Sequence, residues 1–195
     1  MRNAKSDIDR RRRRRRRRTQ VVVIYAAIAI GLAWFFELQA TTTVIFVRHA
    51  EKATAPADDP GLSAAGKQRA AELARQLVDA DVVAGVDAIY ATPYRRTEET
   101  AQPVATALGL PITSYEAANT ESIMDEIVRT HKGKIILVVG HSNTVPEMIG
   151  NMGASKKVPG IDENEYDNLY VVSIPWFGKT KTIRLRYGVP YVPAQ

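Results

Sequence analysis

KIILVVG, Lys134 to Gly140, holds five consecutive apolar residues between a lysine and a glycine. A strand with one wet face alternates apolar and polar side chains, so this unbroken run predicts a strand buried on both faces. Covering both faces takes helices, and the neighbouring segments Thr120 to Thr130 and Pro146 to Met152 both read as helical. Working outward, Thr43 to Val47 is a second β-branched apolar run. A polar loop with Pro56 and Pro60 follows, and Ser63 then introduces an amphipathic helix through Val78. Asp87 to Ala91 and Ile112 to Tyr115 read as short strands flanking a helix from Tyr94 to Leu108. After a polar loop through the 160s, Leu169 to Ile174 and Thr182 to Arg186 read as further strands. The expected class is α/β: a three-layer α/β/α sandwich on a mostly parallel sheet.

The chain's 195 residues suit one domain with a short appendage. Hydrophobic residues make up 45% and charged residues 25%, as in ordinary globular proteins, so a wholly disordered or fibrous chain is excluded. The absence of cysteine removes disulfide scaffolds, thiolate metal sites and cysteine nucleophiles. The net charge of +6 belongs to one end. Residues 1 to 20 carry Arg2, Lys5 and the run Arg10 to Arg18 against Asp7 and Asp9, eleven cations to two anions. From residue 41 onward, 16 Lys and Arg face 18 Asp and Glu, so no basic face able to track a nucleic-acid backbone is expected.

The basic run abuts Val21 to Phe36, VVVIYAAIAIGLAWFF, sixteen residues without a charge. As a helix they span roughly 24 Å, short of the roughly 30 Å hydrocarbon core, although Leu38 and Ala40 extend the apolar reach past Glu37. Residues 21 to 40 therefore read as one N-terminal transmembrane helix, with a signal sequence cleaved after Ala40 as the alternative. By the positive-inside rule, residues 1 to 20 are a cytoplasmic tail and the domain faces outward, or is secreted or periplasmic after cleavage. The short connection to Thr43 favours substrates in the envelope or at the lipid surface.

In a parallel sheet, sites form beyond the carboxyl ends of the strands. Three predicted strands end in Arg48-His49-Ala50-Glu51, in Thr92-Pro93-Tyr94-Arg95-Arg96-Thr97, and in Gly140-His141-Ser142-Asn143. Two of the three histidines thus reach one rim, and His131 reads as a surface residue near a helix end. Guanidinium forks suit the nonbridging oxygens of a phosphoryl group, and a neutral imidazole nitrogen can attack phosphorus. A metal centre built on His49, Glu51 and His141 is disfavoured by the adjacent arginines.

VIFVRHAEK at Val44 to Lys52, LSAAGKQRA at Leu62 to Ala70, ATPYRRTEETA at Ala91 to Ala101 and VVGHSNTVP at Val138 to Pro146 together resemble, in order and spacing, the motifs of the histidine phosphatase, or phosphoglycerate-mutase-like, superfamily. The resemblance spans residues 42 to 187 and makes residues 41 to 195 a histidine phosphatase-like domain. It implies that His49 is the nucleophile, that Arg48, Arg96 and His141 complete the phosphate pocket, and that no cofactor or metal is needed. Arg96 rather than Arg95 fits the family pattern, which leaves Arg95 as a rim or surface charge. The implied mechanism is two in-line displacements through a phosphohistidine, with an acid protonating the leaving oxygen. Glu116, which follows the third short strand, is the candidate acid; Glu121, Glu51 and Asp59 compete with it.

Departures from the family pattern bear on the substrate. The first motif continues Lys52-Ala53-Thr54 rather than with the serine and Trp-Asn pair usual in mutases. The span from Arg96 to His141 has no room for the mutase insertion, and Ser142 stands where the acid phosphatase branch has Asp. The expected function is a membrane-anchored phosphomonoesterase of the small, compact group, acting on a phosphorylated small molecule or a phosphoprotein. The alternatives are a mutase-type phosphotransferase and a non-catalytic phosphate-binding signalling module.

Overall fold

Val44 and Phe46 point to one side of their strand and Ile45 and Val47 to the other, and all four are buried, which puts apolar cover on both faces of the sheet. The computed structural model describes residues 2–38, 41–79, 85–154 and 157–193. The chain divides into two units, residues 1–39 and 40–195.

The first unit is one helix, α1 (Arg2–Leu38). The sequence reading separates a tail from an anchor at residue 20, whereas the helix runs through both. Arginine is a strong helix former and nothing between Arg18 and Val21 breaks the backbone ladder. Its stretch Arg10–Phe36 is long and apolar enough to cross a membrane, by length and composition alone. Ala40, after which cleavage would fall, lies outside the described residues.

The second unit alternates β1 (Thr41–Arg48), α2 (Ala64–Val78), β2 (Ala88–Ala91), α3 (Arg95–Leu108), β3 (Ile112–Ser114), α4 (Thr120–Thr130), β4 (Ile135–Gly140), α5 (Thr144–Asn151), β5 (Asn168–Pro175) and β6 (Lys181–Arg186). The strands form one mixed sheet in the order β3-β2-β4-β1-β5-β6. β3, β2, β4 and β1 are parallel, and β5 and β6 add antiparallel to the edge. Helices α2 and α3 cover the face of Ile45, Val47, Leu137 and Val139, while α4 and α5 cover that of Val44, Phe46, Ile136 and Val138. This is the three-layer sandwich expected from the sequence.

Boundaries differ by a residue or two, with local causes. Helix α5 begins at Thr144, two residues before the expected Pro146, because proline is tolerated in a first helical turn. Strand β3 stops at Ser114, and the expected Tyr115 instead buries its ring against β4, its hydroxyl donating to the Val139 carbonyl at 3.2 Å. The loop before α2 folds back on β1's end, where Ser63 N–H donates to Glu51 O and Ser63 Oγ caps the helix by accepting from Gly66 N at 3.1 Å. A Cβ at Gly66 would collide with the Glu51 carbonyl, so this approach needs glycine.

Candidate active site

The site follows from sheet register. Arg48 of β1 pairs with Gly140 of β4, so His49 and His141 are the next residues of two adjacent parallel strands. His49 N–H donates to Gly140 O at 2.9 Å, and the two imidazoles meet edge to face with centroids 5.4 Å apart. On β4's other side Ala91 pairs with Val139, which brings Thr92 to His141. The rim residues line a cavity of about 660 Å³ together with Lys52, Asp58, Tyr94, Arg96 and the Ala117–Ala118 pair. Two larger hollows, each about 830 Å³, lie against α2 with the chain after β6, and against α4 with the end of α5; neither holds His49 or His141.

His49 is buried, and its Nδ1–H donates to the Ala50 carbonyl at 2.8 Å. That bond selects the tautomer with a lone pair on Nε2. Burial first, then the positive charge of Arg48, lower its pKa to about 3, so the ring is neutral at pH 7. His141 is lowered to about 4 by burial and then by Arg96 and Arg48. A hydroxyl chain sets its tautomer. Thr97 Oγ1–H is committed to backbone carbonyls of Thr92 and Tyr94, so Thr92 Oγ1–H donates to Thr97 Oγ1 at 2.9 Å. Thr92 Oγ1 then accepts from His141 Nε2–H, also at 2.9 Å, which leaves the lone pair on Nδ1.

The two arginines are held differently. Arg48 is buried; its Nη1 donates to the carbonyls of Asp162 and Glu165 at 2.7 and 3.1 Å, and its guanidinium lies 4.2 Å from the Tyr166 ring centroid. Its Nε is buried with no hydrogen-bond partner among the described residues. Arg96 lies over the Tyr94 ring at 4.4 Å and is 18% exposed, whereas Arg95 is 54% exposed and pairs with Glu99 along the helix at 3.2 Å. The helix thus turns Arg96 to the cavity and Arg95 to solvent.

The carboxylates considered as acids scatter. Glu116 is exposed, and the cavity wall passes through Ala117 and Ala118 beside it. Glu51 is taken by Arg69 at 2.8 Å. Asp59 accepts from Arg95 N–H at the start of α3 and stands 3.9 Å from Arg96. Glu121 is exposed in the first turn of α4. Asp58, which sequence reasoning did not single out, is the carboxylate lining the cavity among the described residues. Lys52, Thr92, Tyr94 and Tyr166 were likewise not assigned to the site. Of these, Thr92 and Tyr94 lay inside a quoted strand-end motif and Lys52 closed the quoted stretch VIFVRHAEK, so these three could have been flagged, whereas Tyr166 lay in no quoted motif. His131, read as a surface residue, is half-buried at the end of α4, its Nε2 2.9 Å from the Tyr90 hydroxyl.

The donor set suits an anion. Three permanent cations, Arg48, Arg96 and Lys52, line the cavity beside two neutral imidazoles and one carboxylate. Among the described residues, no group of three or more His, Asp or Glu is arranged to hold a metal ion.

Residues 44–119, which carry Arg48, His49 and Arg96, match the family model of the histidine phosphatase superfamily, branch 1. The match takes in the first three of the four motifs quoted above and leaves out the fourth, Val138 to Pro146. Several solved structures share the chain's fold. The protein histidine phosphatase SixA in complex with tungstate is 17% identical, with a TM-score of 0.60 over 74% of this chain and 96% of that one. A mycobacterial glucosyl-3-phosphoglycerate phosphatase is 12% identical, with a TM-score of 0.56 over 75% and 98%. A Bacillus stearothermophilus protein, YhfR, is 16% identical, with a TM-score of 0.54 over 67% and 90%. No curated protein sequence matches the chain. His141 falls outside the matched stretch, and the β1–β4 register brings it beside His49.

Proposed function

We propose that the domain is a phosphomonoesterase acting through a phosphohistidine on His49, held at a membrane by residues 21–40. The observation that carries this reading is the state of His49: a neutral imidazole, oriented through Nδ1, between two arginines and a second imidazole. The buried Nε of Arg48, without an acceptor among the described residues, is the kind of donor a phosphoryl oxygen would take up.

In the first displacement His49 Nε2 attacks phosphorus, the bond to the leaving oxygen breaks, and an acid gives that oxygen a proton. In the second, water attacks phosphorus, the P–N bond breaks, the electron pair returns to Nε2, and the water proton passes to the same carboxylate. Arg48, Arg96 and His141 stabilise the equatorial oxygens throughout. A bound phosphate dianion favours a protonated His141, offsetting the effect of the two arginines. We take Asp58, the carboxylate that lines the cavity, as the acid; Glu116, beside the lining alanines, is the alternative, and Asp58→Asn and Glu116→Gln separate them by which one slows formation of the phosphoenzyme. The substrate is a phosphorylated small molecule or a phosphoprotein, and no metal takes part, so a chelator leaves the rate unchanged.

The deciding experiment assays the protein against phosphosugars, phosphoproteins and nucleotides, with acid quench to trap the labelled enzyme. Hydrolysis with acid-labile label on His49, both lost in His49→Ala, is expected. Undiminished hydrolysis by His49→Ala overturns the mechanism, and phosphate binding without hydrolysis would make the domain a binding module.

A further inference from the structure

Of the three Phe and Trp residues in the second unit, Phe46 is buried in the core, and Trp176 and Phe177 stand side by side on the turn between β5 and β6. There Trp176 is 70% and Phe177 90% exposed, although a folding domain would ordinarily cover such large apolar surfaces. Lys179 and Lys181 follow on the same turn, both exposed.

The position of this turn suggests its occupant. Thr41, the first residue of β1, pairs with Pro175, which immediately precedes Trp176. In the chain, Thr41 comes three residues after Leu38, the end of the helix that contains the apolar run. The aromatic turn therefore occupies the end of the sheet where the chain arrives from that run. Lys134 and the exposed Lys132 enter the same end ahead of β4, with Lys134 paired to Asp87 at 2.9 Å. The acidic loop of Asp162, Glu163 and Glu165 lies instead beside Arg48, at the opposite end.

We infer that the β5–β6 turn is a second membrane contact, in which Trp176 and Phe177 enter the interfacial layer of an anionic bilayer while Lys179 and Lys181 meet its lipid phosphates. Indole and phenyl rings flanked by lysines are the side chains that favour this layer, and the lysines complement its charge. The inference rests on residues 21–40 being membrane-associated, and it adds an orientation. A strand rises about 3.3 Å per residue, so Arg48, seven residues along β1 from Thr41, lies roughly 23 Å along the strand from the end that carries the turn and stands farther from the bilayer by up to that length. The catalytic rim then faces away from the lipid. A phosphate in the plane of the same leaflet does not reach it, and the substrate is a water-borne phosphate ester or a phosphorylated group projecting from the surface.

The full chain has two tryptophans, Trp34 and Trp176, so Trp34→Phe makes Trp176 the sole reporter. Reconstituted in phosphatidylcholine–phosphatidylglycerol vesicles, this protein is expected to show Trp176 severalfold less quenched by acrylamide than a free tryptophan amide, and quenched by lipids brominated near the headgroup. Phe177→Ser combined with Lys179→Gln and Lys181→Gln should reverse both effects, with circular dichroism confirming that the variant is folded. Full acrylamide access in vesicle-bound protein overturns the inference. Shielding without quenching by brominated lipid also overturns it, because another protein surface then covers the turn. In the separate variant Trp176→Phe, Trp34 reports on the apolar segment: no quenching by deeply brominated lipid would show that the anchor reading has failed, whatever the turn does.

Discussion

His49 and His141 stay uncharged because burial removes water from them and the two arginines oppose a further positive charge. This has a consequence for stability. In the unfolded chain each imidazole titrates near about 6.5, whereas the folded protein resists protonation down to about 3 and about 4. Between those limits the unfolded state binds more protons, so the histidine contribution to stability rises with pH, is complete above about 6.5 and falls away as pH drops below it. Between pH 6.5 and 5 the wild type should lose melting temperature more steeply than His141→Gln; parallel curves would show that His141 is not held neutral. The adjacent arginines give a second comparison at this scale. Arg96→Ala removes a preorganised donor from the cavity and should cost a few kcal/mol in kcat/KM. Arg95→Ala removes a surface pair with Glu99, worth under about 1 kcal/mol of stability, and should leave kcat/KM nearly unchanged. Equal losses would mean that Arg96 does not contact the transferring group.

At the scale of elements, the site depends on how β1 is fastened at its end. The strand delivers Arg48 and His49, and the Ser63 cap together with the close approach of Gly66 fixes the following loop against Glu51. Ser63→Ala loses one N-cap bond and should cost about 1 kcal/mol, a melting-point drop of about 3 °C for a domain of this size. Gly66→Ala forces a methyl group into the Glu51 carbonyl and should cost more than the cap. If both variants melt with the wild type, this loop does not contribute to the folded state as argued. Sheet register does the rest. Because β1 and β4 are parallel and aligned Arg48 to Gly140, two histidines 92 residues apart become neighbours without any long side chain reaching across.

The whole molecule separates its charges: eleven cations precede the apolar run, and the domain beyond is slightly acidic. With the N-terminus retained in the cytoplasm, an alkaline phosphatase fused to the C-terminus should be active and a fluorescent protein there dark; the reverse result would refute that topology, and a mature protein starting at Thr41 would replace the anchor with a signal sequence. The sandwich and the positions of His49, His141, Arg48 and Arg96 were legible from sequence because each rests on a local pattern, an apolar run that must be covered or a polar motif at a strand's end. The cavity's carboxylate was not. Asp58 sits in a proline-bounded loop whose composition resembles any solvated loop, and its approach to the site comes from the turn that Ser63 and Glu51 fasten. Tyr166 likewise reaches Arg48 only because β5 pairs antiparallel with β1, which returns the acidic loop to the end that carries Arg48 and His49. By itself the sequence determined the elements, the strand-end motifs and the apolar segment, since hydrophobic periodicity and local chemistry act over a few residues. The tertiary structure alone decided the neutral state of the histidines and which carboxylate lines the cavity, because burial and charge proximity depend on contacts between residues far apart in the chain.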